Sequence, residues 1–143
     1  MAANREGTGL LALRLCLGVF FLFEGLGKWG WLFKGELLAR RLAAWQQGAN
    51  EWSAWYLNTI AIPGVEVFAR LVMLGELCCG LALLAGVFTR TAAALGFLMV
   101  LNFHVASGAL FRADFLTNGY GLPVLGGLLA LAIGGARLPW SLR

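Results

Sequence analysis

The sequence predicts an all-α protein: a transmembrane four-helix bundle with an interfacial amphipathic helical segment between the first and second helices. Composition is the first reason, because 60% of the 143 residues are hydrophobic, 13% are charged and the mean hydropathy is +0.79. Soluble domains carry about a quarter charged residues. The second reason is four apolar runs of roughly the 20 residues that cross a hydrocarbon core. We expect residues 1–143 to form one membrane domain.

The four predicted spans cover about residues 8–28, 63–88, 90–111 and 119–137. The first run is expected to be retained rather than cleaved as a signal peptide, because it lacks a small-residue cleavage site and contains Arg14 and Glu24. Pro63 suits the first turn of the second span, and Thr89 with Arg90 predicts a tight turn into the third. Short turns between spans favour an up-and-down topology.

The connection over residues 29–62 is predicted to form one or two amphipathic helices in the plane of the membrane interface. Leu38, Leu42 and Trp45 recur at helical spacing with polar residues around them. Indole rings favour the headgroup region, and five of the six tryptophans fall in this segment (Trp29, Trp31, Trp45, Trp52 and Trp55). A structural cap over the bundle and a lid that gates a substrate both fit this pattern.

The charge and cysteine content exclude several function classes. A net charge of +4 without a run of basic residues is a poor footprint for nucleic acid, so no nucleic-acid partner is expected. Cys16, Cys78 and Cys79 show no metal-type spacing, and we predict neither a disulfide framework nor a metal site.

Five ionisable residues lie inside the first two predicted spans, and we expect them to form an intramembrane charge network: Arg14, Glu24, Glu66, Arg70 and Glu76. Charges in a span are costly unless they pair or face a polar interior. At about 100° per residue they form one polar stripe on each helix. In antiparallel helices, setting Arg14 level with Glu76 brings Glu66 level with Glu24 and Arg70 within one turn of it.

This register predicts contacts of Arg14 with Glu76 and of Arg70 with Glu24, Glu66 or both. Gly18, Gly25 and Gly80 on the same stripes would let the two backbones approach closely.

Two interpretations of the network remain open. The ion pairs can have a purely structural role and set helix order and register. Alternatively, three acids against two bases leave one carboxyl unpaired, at Glu24 or Glu66. A carboxyl in a low-dielectric setting would suit proton exchange or a hydrogen bond to a quinone or another polar head.

Polar residues of the third span extend the candidate ligand site. Asn102 and His104 lie near the depth of Arg70, but their directions differ by about 160°, so only one can face the polar stripe. The quinone or polar-ligand site is therefore predicted from Glu24, Arg70, Asn102 and His104. A packed core histidine and a haem or chlorophyll ligand are the alternatives for His104.

Two sequence blocks resemble the DoxX family of small four-span membrane proteins. They are Arg14-Leu-x-Leu-Gly18-x-x-Phe21-x-x-x-Gly25-x-x-Lys28 and, after Arg70, Gly75-Glu76-x-x-x-Gly80-Leu-x-Leu-Leu-x-Gly86-x-x-Thr89-Arg90-x-Ala-Ala. The resemblance covers roughly residues 10–105. It implies an integral membrane protein, in a family whose better-known members are linked to thiosulfate:quinone oxidoreduction or to thiol and oxidative-stress complexes. Arg14, Lys28, Arg70 and Glu76 match its recurrent charged positions.

Three function hypotheses follow. The leading one is a non-catalytic accessory subunit of a larger membrane complex of the electron-transfer or light-harvesting type. The first alternative is the membrane subunit of a thiosulfate:quinone-type oxidoreductase, and the second is a small-solute transporter. No catalytic residue and no covalent cofactor are predicted; a quinone, lipid or pigment is the expected ligand at a subunit interface. Nothing resembles a flavin, nicotinamide or iron–sulfur motif, so a partner subunit would have to supply electrons.

The expected location is the bacterial cytoplasmic membrane, with several passes and both termini on one side. The expected partners are the lipid bilayer and other membrane subunits or copies of the same chain. Basic residues divide almost evenly between the faces: Arg5, Arg90, Arg137 and Arg143 lie on the side of the termini, and Lys28, Lys34, Arg40, Arg41 and Arg112 on the other. We favour cytoplasmic termini because short loops weigh more in the positive-inside rule.

Overall fold

The computed structural model describes residues 2–141, without the side chains of residues 2–5 and 137. Arg143 and the side chains of Arg5 and Arg137, which entered the orientation count, lie outside that description. The described chain is all-α and contains six α-helices. They are α1 (Ala2–Gly27), α2 (Glu36–Gln46), α3 (Glu51–Tyr56), α4 (Val65–Ala85), α5 (Thr89–Ala106) and α6 (Leu122–Gly134).

Helices α1 and α4 form the most extensive helix pair, and small residues let them touch. A Cβ added to Gly80 would lie 2.6 Å from the backbone nitrogen of Leu22 and 3.0 Å from the carbonyl oxygen of Gly18. A Cβ on Gly25 would lie 2.9 Å from the backbone nitrogen of Leu77. The prediction that Gly18, Gly25 and Gly80 allow close approach of the two helices is confirmed.

The other long helices complete the packing. Helix α5 packs on α4 and α6, and α6 also packs on α1. A core of Phe21, Leu83, Ala93, Leu128 and Leu131, each at most 1% exposed, fills the space between them. Two helical stretches are long and apolar enough to cross a membrane, Glu6–Gly27 and Val65–Ala85, and Leu122–Gly134 is a shorter apolar helix.

Local breaks explain why α4 and α5 end before the predicted second and third spans do. Helix α5 ends at Ala106 because Gly108 adopts a left-handed backbone, with φ of 71°, and the chain continues in two 3-10 turns, Ala109–Phe111 and Ala113–Thr117. Helix α4 ends at Gly86, also left-handed with φ of 69°, where the Val87 N–H donates to the Ala82 carbonyl over 2.9 Å.

The segment between α1 and α4 contains a 3-10 turn (Trp29–Leu32), α2, α3 and a π-helical turn (Leu57–Ala61). It packs firmly on the bundle: Trp31, Leu38, Leu42 and Leu57 are buried against α4 residues that include Met73. The Ser53 hydroxyl, fully buried, donates to the Val105 carbonyl over 2.6 Å. These contacts favour the structural cap over the gating lid.

Candidate ligand site

A buried lysine holds two carboxylates together where α1 ends. Lys28 Nζ lies 2.7 Å from Glu24 Oε2 and 2.9 Å from each carboxylate oxygen of Glu76. The side chains of Lys28 and Glu76 are 10% and 4% exposed, against 38% for Glu24. We call these three residues the Lys28 cluster.

Local geometry places each member of the cluster. Glu24 and Lys28 are four residues apart, so one turn of α1 brings their side chains onto the same face. Glu76 comes from α4 and meets them because the contact of Gly25 with Leu77 sets the two helices in that register. Lys28 and Glu76 are both buried, and the two opposite charges can remain there because they neutralise each other.

The cluster opens into a cavity of about 460 Å³, the Lys28 cavity, between α1, α2, α4, α5 and the 109–120 loop. Its wall combines apolar, aromatic and polar side chains. It is lined by Phe20, Phe21, Glu24, Lys28, Arg41, Trp45, Glu76, Val100, Phe103, His104, Ser107, Ala109, Arg112, Asn118 and Tyr120. A concave apolar site with a few convergent polar groups is typical of a small-molecule site.

Three polar groups in the wall retain hydrogen-bonding capacity. Arg41 lies over the ring of Trp31, with Cζ 5.6 Å from the ring centroid, and its N–H donors have no acceptor among the described residues. Glu76 Oε2 is buried and lies 2.9 Å from Lys28 Nζ, but it accepts no hydrogen bond from the described residues. His104 Nε2 donates to the Tyr120 carbonyl over 2.9 Å, which makes Nδ1 the acceptor in the neutral ring.

An apolar groove of about 580 Å³ adjoins this cavity. Its lining includes Val19, Phe23 and Val124, and it shares Phe20, Glu24 and Tyr120 with the Lys28 cavity. Phe23 is 67% exposed, so the groove lies on the outer surface of the helices. A molecule with a polar head and an apolar tail could therefore occupy both spaces at once.

The predicted contact of Arg14 with Glu76 is wrong. Arg14 donates instead to the Ser141 hydroxyl (2.7 Å) and to the Trp140 carbonyl (3.0 Å). Because Gly25 lies level with Leu77, the true register differs from the predicted one by about 12 residues, or about 18 Å. Pairing Arg14 with Glu76 predicts the wrong register, because the basic partner of Glu76 is Lys28.

The predicted contacts of Arg70 are confirmed for Glu66 and wrong for Glu24. Arg70 does contact Glu66, at 2.8 Å within α4, but this pair is exposed and does not reach Glu24. The prediction of one unpaired carboxyl is wrong, because Glu24, Glu66 and Glu76 all have a basic partner.

Asn102 and His104 face opposite ways, as predicted. His104 lines the Lys28 cavity, while Asn102 accepts a hydrogen bond from the Tyr56 hydroxyl over 2.6 Å on the other side of α5. Of the four predicted site residues, the structure thus brings together Glu24 and His104 and excludes Arg70 and Asn102. Arg41 was missed, because no sequence pattern shows that it lies over Trp31 and lines the cavity.

Metal-ligating side chains and cysteines are the remaining candidate features of the described part of the chain. No three His, Cys, Asp or Glu residues among them come together as metal ligands would. Cys16, Cys78 and Cys79 are free thiols, and only Cys79 is buried.

The helices and the site define an all-α protein with two helices of membrane-spanning length and a charged cavity beside an apolar groove. The DoxX family model matches residues 9–109, and the chain belongs to the DoxX family. It is a membrane protein of that family, in contact with the lipid bilayer. No curated protein and no solved structure matches the chain.

Proposed function

We propose that this chain is a four-span membrane protein that binds an amphipathic molecule with a polar head, of the quinone class, in the Lys28 cavity. The observation that supports the proposal is the sharing of Phe20, Glu24 and Tyr120 between the charged cavity and the lipid-facing groove. A head could lie in the first space and an apolar tail in the second. Such a ligand would enter sideways from the bilayer.

The polar groups fit both forms of a quinone head. Arg41 would donate to a carbonyl oxygen, and Glu24 would accept from a hydroxyl of the reduced form. Lys28 uses its donors on Glu24 and Glu76, so its role is to keep both carboxylates in place. A bound quinone would supply a two-electron, two-proton redox couple. The carboxylate of Glu24 is 38% exposed and is therefore accessible to a bound head.

Arg41→Ala tests the proposal, with Arg40→Ala as its matched control. Both arginines are exposed on α2, but only Arg41 lines the cavity. A charged hydrogen bond contributes about 1.5–3 kcal/mol, so Arg41→Ala should weaken binding by about tenfold or more. The probe is a benzoquinone with a ten-carbon tail, and binding is followed by quenching of tryptophan fluorescence, because Trp45 lines the cavity.

Equal affinities of the two variants, or the absence of saturable binding to the unmodified protein, would contradict the proposal. The accessory role in a larger electron-transfer or light-harvesting complex stays a prediction. Gentle extraction followed by native mass measurement tests it, because a protein that is always found alone would have no such role. The transporter alternative also stays a prediction.

A further inference from the structure

We propose a second binding site, for an oxyanion of the phosphate class, at the turn between α4 and α5. It lies at the end of the bundle opposite the Lys28 cavity and is independent of the proposed quinone binding. A cavity of about 550 Å³ opens there, and its lining includes Thr89, Arg90, Thr91, Trp140 and Ser141. We call it the Thr89 cavity.

A buried arginine, Arg14, contacts two residues that line this cavity, Trp140 and Ser141. Arg14 is 1% exposed, its Nε is buried without a hydrogen bond, and it forms no ion pair with a carboxylate in the described part of the chain. Its two acceptors are the neutral Ser141 hydroxyl and Trp140 carbonyl. A buried charge is costly unless it is paired. An anion in the cavity above would provide the missing charge.

Thr89 adds a hydroxyl that has no partner. It is 5% exposed, it lines the cavity, and its Oγ1 makes no hydrogen bond to any described residue. Buried hydroxyls in folded proteins normally have a partner, so this O–H is available to donate to a bound anion. Ser141 completes the pair of hydroxyls, because its oxygen accepts from Arg14 and leaves its own O–H free to donate.

Helix α5 begins at the same cavity. Its first backbone hydrogen bond runs from the Ala92 N–H to the Phe88 carbonyl over 2.9 Å, so the N–H groups of Thr89, Arg90 and Thr91 precede the helical ladder. The N-terminus of this 18-residue helix carries a partial positive charge that favours anions. None of the seven acidic residues of the chain lines the cavity.

The rim of the cavity suits the headgroup region of a membrane. Phe88 and Trp140 are 80% and 81% exposed, and both adopt a left-handed backbone that is rare for aromatic residues. Arg90 uses its Nε on the Ala132 carbonyl and has further N–H donors. Phosphate could therefore come from an anionic lipid headgroup or from solution.

Thr89→Val tests the site in the purified full-length chain, with Thr59→Val, an exposed threonine at the other end, as its control. Native mass spectrometry counts retained phosphatidylglycerol, with phosphatidylcholine for comparison. A second arm measures the rise in melting temperature with inorganic phosphate against chloride at equal ionic strength. Loss of one charged hydrogen bond should weaken binding by roughly tenfold in Thr89→Val and leave Thr59→Val unchanged.

Retention of phosphatidylglycerol supports the site with a lipid as the source, and stabilisation by phosphate supports it with a soluble anion. Without ligand, Thr89→Val should melt no lower than the unmodified protein, because the lost hydroxyl makes no hydrogen bond to the described residues. If that variant does not fold, Ser141→Ala takes its place. Binding of neither probe, or equal binding by the site variant and the control, would overturn the proposal.

Discussion

Replacing Lys28 by methionine would remove the only base that the Lys28 cluster contains while keeping the length of the side chain. At 2.9 Å and an effective dielectric constant of 20, one ion pair with Glu76 corresponds to about 6 kcal/mol of Coulomb energy before desolvation is subtracted. Breaking a buried pair from one side costs about 3–5 kcal/mol, because the remaining charge stays buried. Glu24, 38% exposed, adds little to this cost. We therefore expect Lys28→Met to lower the free energy of unfolding by about 3–5 kcal/mol.

The assay is a titration with sodium dodecyl sulfate in mixed micelles, followed by circular dichroism of the helices. Arg70→Met is the matched control, since its pair with Glu66 is exposed on both sides and should contribute only about 0.3–0.5 kcal/mol. The double variant Lys28→Met with Glu76→Met should recover most of the loss, because no charge then stays buried without a partner. A Lys28→Met variant that loses no more stability than Arg70→Met would refute the reasoning, and so would a double variant that recovers nothing.

Two further predictions test the helix packing. Gly80→Ala should lower the free energy of unfolding by about 1–3 kcal/mol, because its Cβ would meet the backbone of Leu22. Gly126→Ala, with open space around it, should be neutral or slightly stabilising. The same titration measures both variants, and equal losses would show that Gly80 is not the contact point. Tyr56→Phe should cost about 1–2 kcal/mol, because Asn102 Oδ1 loses its donor. An unchanged melting temperature for this variant would mean that the hydrogen bond from Tyr56 to Asn102 contributes nothing to stability.

The sequence predicted which faces of α1 and α4 meet, but it did not predict the axial register of the two helices. The stripe that contains Gly18, Gly25 and Gly80 could be read from helical periodicity alone. Register is a different problem, because a long Arg or Lys side chain reaches over more than one turn and several registers satisfy the same charges. Steric contact is more selective: Gly80 must lie against Leu22, since a backbone atom there tolerates no side chain.

The candidate site could be predicted only in part for a related reason. Glu24 could be predicted because it lies on the polar stripe of α1, and His104 because its depth in the third span suggested a site member. Arg41 reaches the cavity only through the packing of α2 on the 3-10 turn that contains Trp31, a contact that no periodicity reveals. The end of α5 at Ala106 could not be predicted from hydropathy, because the apolar residues continue past Gly108.

The few charges of this chain gather in two layers rather than one. Arg14 lies in the middle of the α1 sequence, yet it contacts Ser141 and lies beside Gly86, where α4 ends and α5 is about to begin. Lys28 follows the end of α1, about 21 Å along the helix axis. Only apolar residues and Glu24, which belongs to the Lys28 cluster, lie between them on α1. Since the cost of a charge falls from the centre of a bilayer towards its surfaces, this spacing places both layers near opposite membrane faces in the proposed four-span arrangement. The two cavities would then open near opposite faces, separated by the packed core that contains Phe21, Leu83 and Leu128.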